Sequence, residues 1–347
     1  RHGYRAVERL AAFRTRRVFP LHDLEWLVRR PPLGATSYPL AWSGGLRRRN
    51  PGALALYNLF FRHQPRVDTA GLLEPGERDR LVSAGILEPL GSGVQARLQV
   101  ACAAGLYLMS SIPGRSPGEY VYLGDDTGVL LRETASLRGG RALDLGTGCG
   151  AVALRLDFEE VVGSDVNPTA LALASGNAVL NRRSVRFLES DLWEKIPGRF
   201  SLITSNPPAL PIDPEPGFRF VSAGTERPTE LTLRILEGLG DFLEPEGTAF
   251  VLTFSPGRRL WHEACQRLPR PLSLEYSLRE EFPEVGLHHV FLTVRNDGRG
   301  ERRFRPMGLW SRLKRLSLPL IPPGPSPQAL TLPSRRPSGG PGPPPPA

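Results

Sequence analysis

Four short motifs between residues 144 and 208 contain residue types that can bind and process a ligand. The first motif is DLGTGCG, which spans residues 144–150. Glycines that follow a strand let the backbone pass close to a ligand, and the N-terminus of the next helix offers free amides and a positive dipole end. Gly146, Gly148 and Ala151 also satisfy the dinucleotide fingerprint G-x-G-x-x-G/A. The motif predicts a cofactor loop, with a tight turn that binds nothing as the alternative.

Two further motifs place aspartates at the ends of the next two predicted strands. Asp165 lies in SDVNP, 21 residues after Asp144, where a carboxylate can accept hydrogen bonds from both hydroxyls of a ribose. NAD and S-adenosylmethionine share that ribose. Asp191 lies in ESDLW, where an acid suits the exocyclic amine of an adenine. The alternative for Asp191 is a solvated aspartate at a strand end.

The fourth motif, SNPP at residues 205–208, distinguishes between these two cofactors. It follows the apolar strand FSLIT, at the edge of the predicted sheet that carries the glycine loop. Two prolines rigidly display the carbonyls around Asn206, and this pair of acceptors can bind the NH2 group of a planar substrate, with the nitrogen lone pair facing a methyl donor. Hydride transfer does not need such a pair. A proline that merely ends an edge strand is the alternative, but it leaves the other three motifs unexplained.

The motifs DLGTGCG, SDVNP, ESDLW and SNPP, in this order and spacing, resemble class I S-adenosylmethionine-dependent methyltransferases. Within that class they are similar to the group that contains the HemK-type release-factor glutamine methyltransferases and the ribosomal-RNA guanine methyltransferases of the "methyltransferase small" family. The resemblance covers about residues 121–295. The segment LGDDTGVLLRET, residues 123–134, leads into the glycine motif as it does in such families.

The resemblance implies a role for each site residue. The cofactor is S-adenosyl-L-methionine, and Asn206 borders it. Asp165 is expected to bind the ribose, and Asp191 and Leu192 are expected to face the adenine. The carbonyl of Pro207 joins Asn206 in binding the accepting amide or amine, so these two residues are the expected catalytic pair. The methionine part of the cofactor is held by Asp144, Gly146, Thr147, Gly148 and Gly150.

One position departs from the family pattern. The family continues NPP with an aromatic residue, whereas this chain has Ala209. The aromatic ring normally packs on a planar acceptor, and stacking on a base is worth roughly 1–3 kcal/mol. Phe218 and Phe220 are alternatives for that role, and an acceptor that does not stack is the other explanation.

Strands and helices alternate from about residue 121 onward, which predicts a parallel sheet with right-handed crossovers. The strand candidates are residues 142–146, 160–166, 185–192, 200–206 and 247–255. Two more strands, residues 272–280 and 288–296, have no helix between them and should pair antiparallel. The predicted fold class is therefore α/β: a Rossmann-like methyltransferase sheet, mostly parallel and seven-stranded, with an antiparallel last hairpin and a small N-terminal winged-helix-like domain.

The order helix, helix, hairpin in ALALYNLFF, PGERDRLVSAGIL and LEPLGSGVQARLQV is the basis for that winged helix. The C-terminal end is rich in proline, with 12 prolines in the last 29 residues, so it cannot build helices or sheets. The predicted divisions are a basic helical segment at 1–52, the winged-helix-like domain at 53–118, the methyltransferase domain at 119–298 and a basic, then proline-rich, disordered tail at 299–347.

The positive charge is concentrated at the two ends of the chain. The formal net charge is +9, yet residues 1–49 carry 11 arginines against three acids, and residues 50–298 carry 24 basic and 31 acidic side chains. Basic ends can contact nucleic acid by counterion release. The alternative is that arginine is simply the default cation, since the chain has only two lysines. The acidic catalytic region favours a protein acceptor.

Other functional classes lack support in the sequence. Three scattered cysteines cannot make a disulfide framework, which favours the cytoplasm, and no apolar run is long enough to span a membrane. No HExxH or CxxC pattern indicates a metal site, and His288 and His289 face opposite sides of a strand. Cys149 serves as a small residue in the cofactor loop. We expect a monomer without a bound metal or a membrane partner.

The sequence predicts an S-adenosylmethionine-dependent N-methyltransferase whose acceptor is a planar NH2 group. The favoured acceptor is a glutamine amide in a translation factor or ribosomal protein. A ribosomal-RNA or other nucleobase amine is the first alternative, and a non-catalytic module that binds the cofactor is the second. An NAD(P)-dependent oxidoreductase rests on the glycine fingerprint alone.

Overall fold

The computed structural model describes residues 59, 67, 68, 73, 75–112, 116, 118–124, 126–209, 229–256, 258–282 and 287–306. The predicted basic segment 1–52, most of the helix predicted for ALALYNLFF, and the proline-rich tail lie outside these residues. The described residues all belong to one compact unit. Among the described helices, none is both long enough and apolar enough to cross a membrane.

The N-terminal part contains one described helix and two hairpins. Helix α1 (Pro75–Ser83) is followed by the antiparallel strands β1 (Leu87–Leu90) and β2 (Gly93–Ala96), so the predicted second helix and hairpin are confirmed. A further antiparallel hairpin, β3 (Leu98–Ala103) with β4 (Leu106–Ser111), was not predicted. The predicted winged helix is not supported by the described residues. Of its first predicted helix they include only Leu59, so the winged helix stays a prediction.

The central sheet has eight strands in the order β12-β10-β11-β9-β8-β5-β6-β7. Strands β5 to β9 pair in parallel, whereas β11 is antiparallel to both β9 and β10. The predicted mostly parallel sheet and antiparallel last pair are therefore confirmed. The strands are β5 (Arg138–Leu145), β6 (Asp157–Asp165), β7 (Arg186–Glu189), β8 (Phe200–Ser205), β9 (Leu243–Ser255), β10 (Ser273–Phe282), β11 (Leu287–Arg295) and β12 (Arg302–Arg305).

The eighth strand corrects the prediction of seven. Strand β12 pairs in parallel with β10, within the segment that was predicted to be a disordered tail. The physical reason is Phe304, whose ring lies 5.6 Å from the rings of both Tyr276 and Trp261. The backbone N–H of Glu301 also donates to Ser273 Oγ at 2.9 Å and aligns the two strands. Three of the four residues of β12 are arginines, so the sequence pattern there gave no sign that Phe304 packs against the sheet.

Five helices connect or cover the strands of this sheet. The helix after the glycine loop is short, with five residues, whereas the segment PTALALASGNAVL lies within a helix of 14 residues. The helices are α2 (Thr127–Glu133), α3 (Ala151–Arg155), α4 (Pro168–Asn181), α5 (Glu230–Phe242) and α6 (Arg259–Arg267).

The second hairpin is attached to the sheet domain by two asparagines of α4. Asn177 accepts from Met109 N and donates to Met109 O, at 2.8 and 2.9 Å. Asn181 makes the same pair of bonds with Tyr107, at 2.8 and 2.7 Å. A side-chain amide that hydrogen-bonds to both the N–H and the C=O of one residue acts like a neighbouring strand. These bonds therefore satisfy backbone groups of β4 that do not pair with the central sheet.

The strands that carry the motifs are buried in the middle of the sheet. Leu143, Leu145 and Ile203 are almost fully buried, and α5 covers one face with Leu233 and Leu236. Parallel strands covered on both faces are typically apolar along their whole length. Fully burying one such side chain contributes roughly 1.5–3 kcal/mol. The carboxyl ends of β5 and β8 are therefore rigid supports for the loops that follow.

Candidate cofactor and acceptor site

The glycine loop follows β5 in a conformation that requires glycine. Gly146, Gly148 and Gly150 have φ angles of +72°, +55° and +82°, a region that side chains rarely adopt. Gly150 also begins α3, and a Cβ there would lie 3.0 Å from the Cβ of Ala174 in α4. The backbone N–H of Thr147 donates to Ser164 O at 2.8 Å, which attaches the loop to β6. The loop is thus a fixed backbone cradle at the carboxyl edge of the sheet.

Asp144 supports this loop from inside the protein. Its carboxylate accepts hydrogen bonds from Thr147 Oγ1 at 2.7 Å, Thr204 Oγ1 at 2.8 Å and Ala153 N at 3.2 Å. The side chain is buried, and this burial raises the pKa of the carboxyl group. Because its oxygens are already bonded inward, we expect Asp144 to contribute to the methionine site by holding the loop.

Asp165 joins the end of β6 to the same loop. One carboxylate oxygen accepts from Gly148 N at 2.8 Å, and the other accepts from Asn167 N at 2.9 Å. Each carboxylate oxygen has a second lone pair, so further hydrogen bonds from a ligand remain possible. Burial raises the pKa of this carboxyl group as well. The structure brings Asp165 and the glycine loop together, as the sequence predicted.

Val166 is a residue of this edge that the sequence analysis missed. It comes directly after Asp165, yet its apolar side chain is 43% exposed. Because it lies at the carboxyl end of β6, this exposed valine is accessible to a ligand that binds across the edge of the sheet. The signal in the sequence was a β-branched residue immediately beyond the end of a strand, between an aspartate and an asparagine.

Asp191 and Leu192 lie after β7, next to Asp165. The N–H of Ser190 donates to Asp165 O at 3.1 Å, and Ser190 Oγ donates to Leu192 O at 2.9 Å. Leu192 has φ of +46°, a strained conformation for a leucine that often marks a functional turn. Asp191 faces Arg234 of α5 at 3.6 Å. An open cleft of about 460 Å³ is lined by Asp191, Leu192, Trp193, Glu194, Arg234, Glu237 and Gly238.

The SNPP motif ends β8 beside the glycine loop. Ser205 Oγ donates to Leu145 O at 2.7 Å, and Leu145 is paired with Ser205 on one side and with Ser164 on the other. Asn206, which follows, is half-buried, and its Nδ2 donates to Asp126 Oδ2 at 3.0 Å. The ends of β6, β5 and β8 therefore lie side by side, so the three motifs share one edge.

Position 209 differs from the expected platform for a planar acceptor. The Ala209 side chain is only 4% exposed, so it faces the protein interior and offers no ring surface. Phe218 and Phe220, the predicted substitutes, lie outside the described residues. Among the described residues, position 209 therefore supplies no ring on which a planar acceptor could stack.

Comparison with known proteins identifies the family. The Methyltransferase small domain matches residues 121–253. A Methanocaldococcus jannaschii protein that carries the name "putative protein N5-glutamine methyltransferase" is 30% identical over 138 residues, which are 38% of this chain and 70% of that protein. The chain belongs to the HemK-type class I methyltransferases.

Two bacterial relatives of this methyltransferase carry the name release factor glutamine methyltransferase. The Agrobacterium fabrum protein is 34% identical over 190 residues, which cover 39% of this chain and 65% of that protein. The Deinococcus radiodurans protein is 45% identical over 87 residues, which cover 24% of this chain and 31% of that protein. The chain thus spans less than two thirds of the length of these two relatives.

The family uses S-adenosyl-L-methionine, and the residues present fit that cofactor. The strand ends offer a glycine cradle, a carboxylate at Asp165 with lone pairs remaining and an exposed apolar side chain at Val166. In that order, these features suit the charged methionine part, the ribose and the adenine of the cofactor. The sheet edge can therefore hold an adenosyl group across the ends of β5, β6 and β7.

His289 lies within electrostatic range of Asp126, whose charge partly offsets the effect of burial on the pKa of the imidazole. His289 is buried and stacks on Phe254 with ring centroids 4.9 Å apart, and its burial lowers the pKa of the imidazole. Within the described ranges, no group of three or more His, Cys, Asp or Glu side chains could hold a metal ion.

Cys149 is expected to be chemically inert despite its place in the loop. Its side chain is 2% exposed, and burial raises the pKa of the thiol to about 12, so almost no thiolate exists near neutral pH. The native protein, treated with iodoacetamide at pH 8 and analysed by peptide mass spectrometry, should leave Cys149 unmodified. Rapid alkylation of Cys149 in the folded protein would contradict this assignment as a packing residue.

Proposed function

We propose that this methyltransferase transfers the methyl group of S-adenosylmethionine to the side-chain amide nitrogen of a glutamine in a translation-related protein, with a release factor as the first candidate. The observation that carries the proposal is the position of Asn206, half-buried at the end of β8 and aligned with the glycine loop through the pairing of Leu145 with Ser205. The names of the relatives support the same acceptor.

In this proposal the site acts mainly by positioning. S-adenosylmethionine supplies a methyl group on a positively charged sulfur. Asn206 Oδ1 and the carbonyl of Pro207 accept hydrogen bonds from the two N–H groups of the glutamine amide. These two bonds fix the amide nitrogen with its lone pair facing the methyl donor. Holding two reactants in the reactive geometry can supply roughly 7–11 kcal/mol of the barrier. The nitrogen would gain the methyl group as the bond between that carbon and the sulfur breaks, which would leave the cofactor as a neutral thioether, and the nitrogen would lose one proton to solvent.

The remaining residues have supporting roles in the proposal. Asp165 binds the ribose hydroxyls, while Asp191 and Leu192 border the adenine with Val166. The glycine loop, Gly146 to Gly150, holds the methionine part of the cofactor through its backbone. Asp144 and Thr147 keep that loop in place through their 2.7 Å hydrogen bond.

The choice of an amide over a nucleobase rests on the relatives and on charge. The relatives are named as glutamine methyltransferases, and residues 50–298 carry 24 basic against 31 acidic side chains, which disfavours the approach of a nucleic acid. Ala209 does not distinguish the two acceptors, because the family places an aromatic residue at that position for either one. The cytoplasmic location, the monomeric state and the contact of the basic ends with nucleic acid remain predictions.

The experiment that tests this function follows a labelled methyl group. The full chain is incubated with radiolabelled S-adenosylmethionine and, separately, with a purified bacterial release factor, a lysate protein fraction treated with nuclease, and an RNA fraction treated with protease. We expect label in the release factor, and tandem mass spectrometry should place a single added methyl on a glutamine.

Each other outcome of this labelling has a defined meaning. Label confined to RNA would contradict the proposal and favour a nucleobase amine. Label in protein on lysine or arginine would contradict the amide acceptor. Cofactor binding by calorimetry without transfer to any fraction would favour a non-catalytic module.

A further inference from the structure

A hydrogen bond between Asp126 and Asn206 connects the acceptor motif to a distant part of the chain. Asn206 Nδ2 donates to Asp126 Oδ2 at 3.0 Å, across a separation of 80 residues. The other oxygen, Asp126 Oδ1, accepts from Thr127 N at 2.8 Å and caps the N-terminus of α2. One carboxylate therefore serves both a helix cap and the side chain that the proposed function places against the acceptor.

The chemistry of the two groups gives this bond a direction. An asparagine amide has a donor end and an acceptor end, and rotation about its last torsion exchanges them. A carboxylate only accepts hydrogen bonds, so Asp126 can bind only the NH2 end of Asn206. Hydrogen bonds to a charged acceptor are also roughly twice as strong as neutral ones. The contact therefore turns Asn206 Oδ1 away from Asp126.

Helix α2 holds Asp126 rigidly enough for this purpose. Leu130 and Leu131 are buried against Phe291 of β11 and Leu252 of β9. At the other end of the helix, Thr134 Oγ1 donates to Leu130 O at 2.7 Å. A group that orients a reacting side chain is effective only when its own position is fixed by packing.

We propose that Asp126 is a positioning residue that fixes the amide of Asn206 with its oxygen toward the acceptor, so that the site selects a substrate that presents an NH2 group. This inference rests on the proposed function. A glutamine amide places its NH2 group against Asn206 Oδ1 and the Pro207 carbonyl, which are both acceptors. A glutamate would place an anionic oxygen against the same two acceptors and be repelled. The selection of an amide over an acid thus begins at Asp126.

The key variant is Asp126→Asn, which keeps the size of the side chain and its ability to cap α2. If its oxygen caps Thr127 N, its NH2 group faces Asn206 and binds the oxygen end, which reverses the amide. We expect kcat with the release factor to fall about 10–100-fold, because a small misplacement of a reacting group costs up to about a hundredfold. The dissociation constant for S-adenosylhomocysteine and the melting temperature should stay unchanged.

Two other variants separate positioning from structure. Asp126→Ser keeps a good cap but is too short to reach Asn206, so it should lose kcat in the same way. Glu133→Gln removes the other carboxylate of α2, which contacts Arg279 on the surface, and should retain wild-type kcat. A drop in melting temperature or cofactor affinity that parallels the loss of kcat would mean that Asp126 is merely structural.

The exchanged pair provides the sharpest test. In Asp126→Asn with Asn206→Asp, the NH2 group of residue 126 donates to a carboxylate at 206, whose second oxygen again faces the acceptor. We expect kcat at least threefold above that of Asp126→Asn alone, whereas Asn206→Asp alone should be poor because two carboxylates would face each other. Non-additivity of this sign is the mark of a direct contact. A double variant no better than Asp126→Asn would overturn the inference.

A readout without substrate distinguishes this inference from the proposed function. The side-chain NH2 resonances of Asn206, assigned by their loss in Asn206→Ala, should shift strongly in Asp126→Asn and Asp126→Ser. Wild-type kcat in Asp126→Asn, with Asn206→Ala inactive, would overturn only the inference. Full activity in Asn206→Ala, or no methylation of protein by the wild type, would overturn the proposed function.

Discussion

Asn206→Ala is expected to lower the rate of methyl transfer at least about a hundredfold while S-adenosylmethionine still binds. The substitution removes Oδ1, one of the two acceptors that would hold the substrate NH2 group, and misplacement of about 1 Å can cost a hundredfold in rate. The glycine loop and Asp165 do not depend on this side chain, since their hydrogen bonds run to Ser164, Gly148 and Asn167. Single-turnover transfer to the release factor and calorimetry with the cofactor measure the two quantities.

Ser201→Ala is a matched control for this substitution on the same strand. Ser201 Oγ donates to Arg141 O at 2.9 Å, near the beginning of β8 and away from the carboxyl edge. It should leave the rate of transfer within about twofold, because no proposed site group contacts it. A wild-type rate in Asn206→Ala would mean that SNPP only ends a strand, and the proposed mechanism would be wrong at its centre.

Local patterns in the sequence were enough to predict which strand ends meet at the edge of the sheet that carries the motifs. DLGTGCG, SDVNP, ESDLW and SNPP each lie at the carboxyl end of a strand, and parallel pairing alone brings these ends to one edge. The positive φ angles of Gly146, Gly148 and Gly150 agree with the glycines that the motif supplies. The prediction of the cofactor site therefore rested mostly on local sequence motifs.

The features that the sequence did not predict depend on contacts between distant residues. The pair Asp126 and Asn206 is separated by 80 residues, and only the packing of α2 on the sheet brings it together. Strand β12 depends on Phe304 reaching Tyr276, although its neighbours are mostly arginines. The inward hydrogen bonds of Asp144 depend on Thr204 of the neighbouring strand. Periodicity and composition report none of these contacts.

Asp165→Ala is expected to weaken the binding of S-adenosylhomocysteine at least about thirtyfold. The carboxylate would accept from both ribose hydroxyls, and hydrogen bonds to a charged group contribute about 1.5–3 kcal/mol each. The substitution also removes the acceptor for Gly148 N, so part of the loss comes from a looser glycine loop. Isothermal calorimetry gives the total change in the dissociation constant.

A ligand that lacks the ribose hydroxyls separates these two contributions. If Asp165 binds the ribose, the 2′,3′-dideoxy analogue of S-adenosylhomocysteine should bind weakly to the wild type and lose little more in Asp165→Ala, because the contact is already absent. If Asp165 only braces the loop, both ligands should lose affinity by the same factor. Glu160→Gln is the control, since it removes a carboxylate at the opposite end of β6, where Glu160 pairs with Arg141 at 2.8 Å. An unchanged dissociation constant in Asp165→Ala, with Glu160→Gln also unchanged, would show that the cofactor does not lie across the end of β6.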